Sequence, residues 1–169
     1  MPEILFFARN GWMPNNPQLP VLLYRQAVPV GGIDPAYTFE SLFQRYGWPP
    51  QWRNGVYPFH HYHSTAHETL GFAAGEARLI LGGEGGRDVD VAAGDVVVLP
   101  AGTGHFRCTA SHDFLVVGAY PPGQVADLLR GPATPQQLAA IANVPIPATD
   151  PVHGKAGPLI NLWPSKGTP

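Results

Sequence analysis

The sequence predicts an all-β fold, a small antiparallel barrel or jelly roll, and three observations lead to it. Twenty glycines and twenty prolines in 169 residues punctuate the chain too densely for a helix bundle and suit short strands joined by tight turns. From Trp52 onward, short runs rich in Val, Leu and aromatic residues alternate with Gly, Asp and Ser turns, for about eight strands in all, the count of a jelly roll. A 44% share of apolar residues against 13% charged is enough to fill one core.

Taken in order, Met1 to Pro20 ends in a loop of Pro14, Asn15, Asn16, Pro17 and Pro20, an arm suited to covering a barrel edge or crossing to a partner subunit. Val21 to Ala27 reads as the first strand. Asp34 to Tyr46 reads as a helix, because Phe39, Leu42, Phe43 and Tyr46 recur at helical spacing behind an Asp-Pro start. The remaining strands are expected at Val56 to Tyr62, Glu68 to Ala74, Arg78 to Leu81, Val89 to Val91, Val96 to Leu99, His105 to Ala110 and Phe114 to Tyr120. After Pro121 the composition shifts. Short helices are expected at Val125 to Arg130 and from Thr134, where Thr-Pro-Gln-Gln supplies a cap, a proline at the first position and a glutamine at the third. Pro145, Pro147, Pro151, Pro158 and Pro164 then predict an extended tail anchored by Leu159, Ile160, Leu162 and Trp163. The expectation is one domain over 1–169, with a barrel core at about 19–121, an N-terminal arm at 1–18 and the tail at 122–169.

Composition also excludes functions. A formal net charge of -2 and the absence of any Lys/Arg run leave no electrostatic footprint for nucleic acid. No apolar run approaches the roughly 20 residues of a membrane span, and Ile4 to Ala8 is too short for a signal peptide, so a cytoplasmic location is expected. Open strand edges and long arms predict association into a homodimer.

The chemistry is concentrated in two windows. His60, His61, His63, His67 and Glu68 fall between Gly55 and Gly75. Imidazoles beside a carboxylate suit a divalent first-row transition metal, whereas the single cysteine, Cys108, cannot build a thiolate cage. On a strand His61 and His63 point the same way, leaving His60 and Tyr62 on the other face. The next strand brings back either His67 or Glu68, but not both, since neighbours face opposite sides. In the second window Gly94-Asp95 and Pro100 to Gly104 read as turns around Val96 to Leu99, and His105 opens the following strand. His112 reads as an exposed turn residue, and three sequential residues in Ser-His-Asp cannot form a catalytic relay. His153 lies in the tail, within possible reach of the barrel mouth. Gly82 to Gly86 reads as a hairpin rather than a phosphate loop, because no Lys-Ser/Thr follows.

These windows carry two spaced motifs. Gly55, His61, His63, Glu68 and Gly75 match Gly-x5-His-x-His-x4-Glu-x6-Gly, and Gly94, Pro100, Gly102 and His105 match Gly-x5-Pro-x-Gly-x2-His-x3-Asn, with Thr109 in place of the final Asn. The chain thereby resembles the cupin superfamily. It looks in particular like the small single-domain cupins of the YjlB-like group, through His-Tyr-His-Ser-Thr-Ala-His-Glu, Leu-Pro-Ala-Gly-Thr-Gly-His, Leu115 to Pro121 and Thr149 to Gly154. The resemblance implies an RmlC-like jelly roll, the cupin double-stranded β-helix, holding one divalent transition metal (Fe, Mn, Ni or Zn). It implies the ligands His61, His63, Glu68 and His105, favouring Glu68 over His67, with His60 and His67 facing outward or supporting the ligands.

Four protein donors would leave an octahedral ion about two open positions. With Tyr57, Phe59, Phe72, Phe106 and Arg107 nearby in sequence, the expected partner is a small, partly apolar, carboxylated or hydroxylated molecule. The expected activity is that of a metal-dependent oxygenase or isomerase, with His67, Tyr62 and Arg107 as candidate catalytic groups. The other reading is a non-enzymatic binding or sensing module.

Overall fold

The computed structural model describes residues 1–164; residues 165–169 of the expected tail lie outside the described residues. In chain order the elements are β1 (Glu3–Leu5), β2 (Val21–Tyr24), α1 (Pro35–Arg45), β3 (Pro50–Asn54), β4 (Glu68–Ala74), β5 (Glu76–Leu81), β6 (Arg87–Ala92), β7 (Val96–Leu99), β8 (His105–Ala110), β9 (Leu115–Ala119), α2 (Pro135–Asn143) and α3 (Leu159–Leu162). Six strands form one sheet in the order β1-β2-β7-β4-β9-β3, and three form a second in the order β6-β5-β8. All these pairings are antiparallel. Leu23, Leu70, Val97 and Val116 of the first sheet pack with Leu79, Leu81, Val89 and Val91 of the second in one buried cluster. The fold is therefore the jelly roll that the turn density and strand count predict.

The larger sheet is buried on both faces, which explains its continuous apolar strands. In β7, Val97 and Leu99 point between the sheets, while Val96 and Val98 join an outer layer with Phe39, Phe43, Trp48, Leu159 and Trp163. Period-two alternation thus sorts one strand between two cores. Helix α1 supplies much of the outer layer. The Asp34 side chain accepts from Tyr37 N at 3.3 Å and caps its start, and Phe39 and Phe43 are fully buried. A Cβ at Gly71 of β4 would stand 2.2 Å from the Phe39 ring, so glycine there is what lets the helix sit on the sheet.

The tail is seated by one buried carboxylate. Asp150 is fully buried and accepts from the backbone N–H groups of Val152, His153 and Leu159 at 2.8, 3.0 and 3.1 Å, and from the Tyr24 hydroxyl in a short bond. Burial, and then the bond to Asp150, holds the Tyr24 phenol well above its usual range. Trp163 Nε1 donates to Pro20 O at 2.9 Å.

Several expected elements differ. Val56 to Tyr62 is not a strand: it makes only isolated bridges, His61 to His105 and Tyr62 to Leu129, and Pro58 has no N–H to continue a ladder. Val125 to Arg130 is not a helix, because its polar groups are drawn to residues 62–65 instead of to each other. The tail is not wholly extended, since Pro158 opens the short α3 with a helical φ of -60°. β1 and β3 are strands that the pattern missed. β3 is an edge strand whose Gln51, Arg53 and Asn54 are exposed, so it lacks an apolar signature. The helix from Thr134 forms as α2 with its capping box complete.

Candidate metal centre

Three imidazoles meet between the sheets. The ligand atoms of His61, His63 and His105 all lie within 4.8 Å of one another, and all three side chains are buried. His105 is the first residue of β8, paired with Leu81 of β5. His61 reaches the same level through a reciprocal backbone pair with His105, His61 N to His105 O at 3.3 Å and His105 N to His61 O at 3.0 Å. His63 follows two residues later, anchored where Gly102 N donates to its carbonyl at 2.7 Å.

Each ring is turned the same way. Nδ1 of His61 faces Phe59 O at 2.9 Å, Nδ1 of His105 faces Thr103 O at 3.1 Å, and Nδ1 of His63 makes a short bond to Asp127 O. A carbonyl can only accept, so each Nδ1 carries a proton and it is Nε2 of each ring that is turned to the centre, free to serve as a lone pair once a metal displaces any proton there, as at His63. Such a backbone-fixed tautomer is the usual support for metal-bound histidine.

Glu68 completes the set. Its Oε1 lies 3.3 Å from His105 Nε2 and 3.5 Å from His63 Nε2, yet it is buried and completes a hydrogen bond with neither. A carboxylate oxygen left in that state is costly unless a cation sits beside it. β4 explains the choice between neighbours: Leu70 and Phe72 belong to the cluster between the sheets, so Glu68 faces inward with them. His67 faces the outer layer.

The charges agree with this arrangement. Burial, and then the neighbouring His105, pushes the His61 imidazole down to about 2. Burial works against a proton on His63 too, but the Glu68 carboxylate outweighs it and raises that pKa to about 9. Burial opposes ionisation of Glu68, and the pull of His63 and His105 overcomes it, keeping its pKa below the usual carboxylate range. The same field attracts any cation placed between these groups. Three converging imidazole nitrogens and one carboxylate oxygen without a hydrogen bond fit a divalent transition metal by number and by donor type.

The centre opens into a pocket of about 510 Å³ lined by Trp52, Tyr57, Leu70, Arg107, Tyr120 and Leu128, among others. Trp52 crosses Gly118, where a Cβ would lie 2.1 Å from its ring, and donates from Nε1 to the Tyr120 hydroxyl at 3.0 Å. Burial, and then the Glu68 charge, raises the Tyr120 phenol above its ordinary pKa. Residues 124–131 form a strap tied to residues 62–65, and its Ala126, Asp127 and Leu128 line the pocket. Asp127 accepts from Ser64 N at 2.6 Å and from Ser64 Oγ in a short bond, Thr65 Oγ1 donates to Val125 O at 2.7 Å, and Leu129 pairs with Tyr62. A separate groove of about 570 Å³ lies between Pro14–Leu19 and α2 and is lined by none of the four converging groups.

Of the other residues singled out in the sequence, Arg107 lines the pocket, while Tyr62 and His67 lie outside its lining. Tyr62 is fully buried and donates its hydroxyl to Gly131 O at 2.8 Å. His67 is also fully buried, not outward in solvent. Its Nδ1 accepts from Ala101 N at 2.9 Å, its ring packs 4.9 Å from Trp163, and burial lowers its pKa to about 4. His60 stacks 4.7 Å from Phe106 on the outer face of β8. Phe59, Phe72 and Phe106 do not line the pocket. His112 is exposed. His153 packs 5.7 Å from Tyr24 in the outer layer, away from the barrel mouth. Sequence reasoning missed Trp52, Tyr120 and the Asp127 strap. Only Tyr120 carried a signal, being in phase with the inward Val116.

No helix among the described residues is long and apolar enough to cross a membrane, and no protein-family model matches the chain. The uncharacterized protein YjlB of Bacillus subtilis is 39% identical over 163 residues, 95% of this chain and 96% of that protein. An oxalate decarboxylase of Arthroderma benhamiae is 37% identical over 98 residues, covering 53% of this chain and only 23% of that protein. A DUF861-family protein of Thermotoga maritima has a solved structure with 24% identity and a TM-score of 0.32, covering 42% of this chain and 75% of that one. With the near-full-length match to YjlB, the jelly roll and both histidine motifs in place, the chain belongs to the YjlB-like single-domain cupins.

Proposed function

We propose that the protein is a metal-dependent enzyme acting on a small organic acid, its one divalent ion held by His61, His63, Glu68 and His105. The observation that carries this is the shared ring orientation: three Nδ1 groups are spent on backbone carbonyls, so three Nε2 atoms converge beside a carboxylate oxygen that has no hydrogen bond. When bound, such an ion supplies Lewis-acid activation of an oxygen ligand or a binding place for dioxygen. The chain's own residues do the rest. The Nδ1 bonds fix the rings, and Trp52, Leu70 and the strap residues Ala126 and Leu128 wall the pocket. The Tyr120 hydroxyl lines the pocket and, accepting from Trp52 Nε1, has its own proton to donate to a ligand there.

A carboxylate substrate is also consistent with the partial likeness to an oxalate decarboxylase. Oxygenation is the first reaction to test and isomerisation the second, because none of the described residues lining the pocket is a free general base. The expected outcome is turnover of at least one small carboxylate by protein loaded with Fe(II) or Mn(II), followed by dioxygen uptake and product analysis, and abolished by chelation. Saturable binding without turnover across that panel would instead assign a binding or sensing module.

A further inference from the structure

We propose that Arg107 selects the substrate, its guanidinium taking the carboxylate of a small acid whose apolar part lies against Trp52, Tyr57 and Leu128. This rests on the reading of the pocket as a substrate site, and it concerns the end of the ligand remote from the ion.

The placement follows from strand register. Arg107 lies two residues beyond His105 on β8, opposite Leu79, and Leu79 faces the space between the sheets. Alternation therefore puts Arg107 on the face of His105, roughly 6–7 Å further along the strand. Phe106, between them, points outward to His60. The backbone confirms the position, since Arg107 N donates to Tyr57 O at 3.1 Å and ties β8 to the aromatic rim.

The side chain is short of partners. Its Nε is buried and makes no hydrogen bond among the described residues. No carboxylate of the described residues forms an ion pair with its guanidinium, whereas the exposed Arg25 and Arg53 each pair with two carboxylates and Arg78 with one. The pocket's own acids lie against other groups: Glu68 beside the His63 and His105 rings at 3.5 and 3.3 Å, and Asp127 bonded to Ser64. A partly buried cation with no internal anion is costly unless a ligand supplies one. A planar guanidinium matches a carboxylate through two parallel hydrogen bonds, better than it matches a neutral amide or alcohol.

The rest of the wall sets the ligand's body. Tyr57 is 50% exposed and Leu128 44%, so the rim above Arg107 is apolar and open, and Trp52, Val56 and Leu70 continue that surface inward. Arg130, the neighbouring cation, is spent 3.7 Å above the Phe59 ring and does not line the pocket. A sugar or a polyanion would meet too few polar partners here. An acid with an aromatic or branched apolar arm meets both requirements.

The test uses the full chain, native and Arg107→Gln, each loaded with Mn(II) and first assayed for bound metal and unfolding temperature. Phenylacetate and phenylacetamide, which differ only in the charged end, are then titrated calorimetrically. The native protein is expected to prefer the acid by about tenfold or more, and Arg107→Gln to reduce that preference to about threefold or less while leaving the amide's affinity unchanged. Arg107→Lys, which keeps the charge without the planar fork, should recover part of the preference. Equal binding of acid and amide by the native protein overturns the proposal, as does no binding of phenylacetate at about 10 mM. A preference that survives in Arg107→Gln also overturns it, because the ion alone would then be its source. A native chain that binds no metal would sink the metal reading, while the acid-against-amide comparison still decides the role of Arg107.

Discussion

The His61→Ala, His63→Ala double variant will fold and bind no Mn(II) or Zn(II) in a calorimetric titration that gives one site in the native chain. Two of the three Nε2 atoms at the centre are removed, so the loss will exceed the roughly 10–100-fold that follows loss of a supporting residue alone. The fold should survive, because the bridge that seats this segment is made by the backbone of His61 and His105, not by their rings. His67→Ala is the matched control. It removes a buried imidazole just before β4 that faces the outer layer, leaves Ala101 N without its acceptor, and should cost about 1–3 kcal/mol of stability while keeping the ion. Metal binding that disappears in His67→Ala and persists in Glu68→Ala would reverse the assignment.

Phe39→Ala will lower the free energy of unfolding by about 3–5 kcal/mol, the largest change we expect from a single substitution away from the centre. The ring is fully buried, packs edge-on to Phe43 at 6.2 Å between centroids, and lies directly over Gly71. Removing it opens a cavity that the neighbouring rigid sheet cannot close. Against a typical total of about 5–15 kcal/mol, the urea midpoint should fall far. Ile33→Ala, at a fully exposed position, should stay within about 0.5 kcal/mol. A cost below about 1 kcal/mol for Phe39→Ala would mean that α1 is not the cover of the larger sheet.

These two sites also show what was legible in the sequence. Gly55, His61, His63, Glu68 and Gly75 hold the chemistry at fixed spacing, and Gly94, Pro100, Gly102 and His105 hold the second half, so the centre could be read from local pattern. Strand alternation alone left His67 and Glu68 open. In the structure the inward Leu70 and Phe72 decide between them. What alternation could not reveal is that the outer face is also dry: His67 is covered by Trp163, nearly a hundred residues away in sequence, and its burial depends on that tail.

The strap was illegible for the same reason. Residues 125–130 look helical in isolation, but Ser64 and Asp127, separated by 63 positions, bond to each other, and such long-range partners override local propensity. The segment 56–62 reads as a strand because it is rich in Val, Tyr and Phe, while Pro58 and the few available partners leave only isolated bridges. Arg107 was legible as a charged residue in phase with His105, but its missing partner could only be seen once the acids around it were placed.

The most direct test of the metal centre is an anomalous-difference map from a crystal of the native chain grown with Mn(II) or Zn(II). One dominant peak per chain is expected, about 2.0–2.3 Å from Nε2 of His61, His63 and His105 and from a carboxylate oxygen of Glu68. No peak between those four side chains, or a peak bound by His67 or by Nδ1 of any of the three histidines, would contradict this assignment.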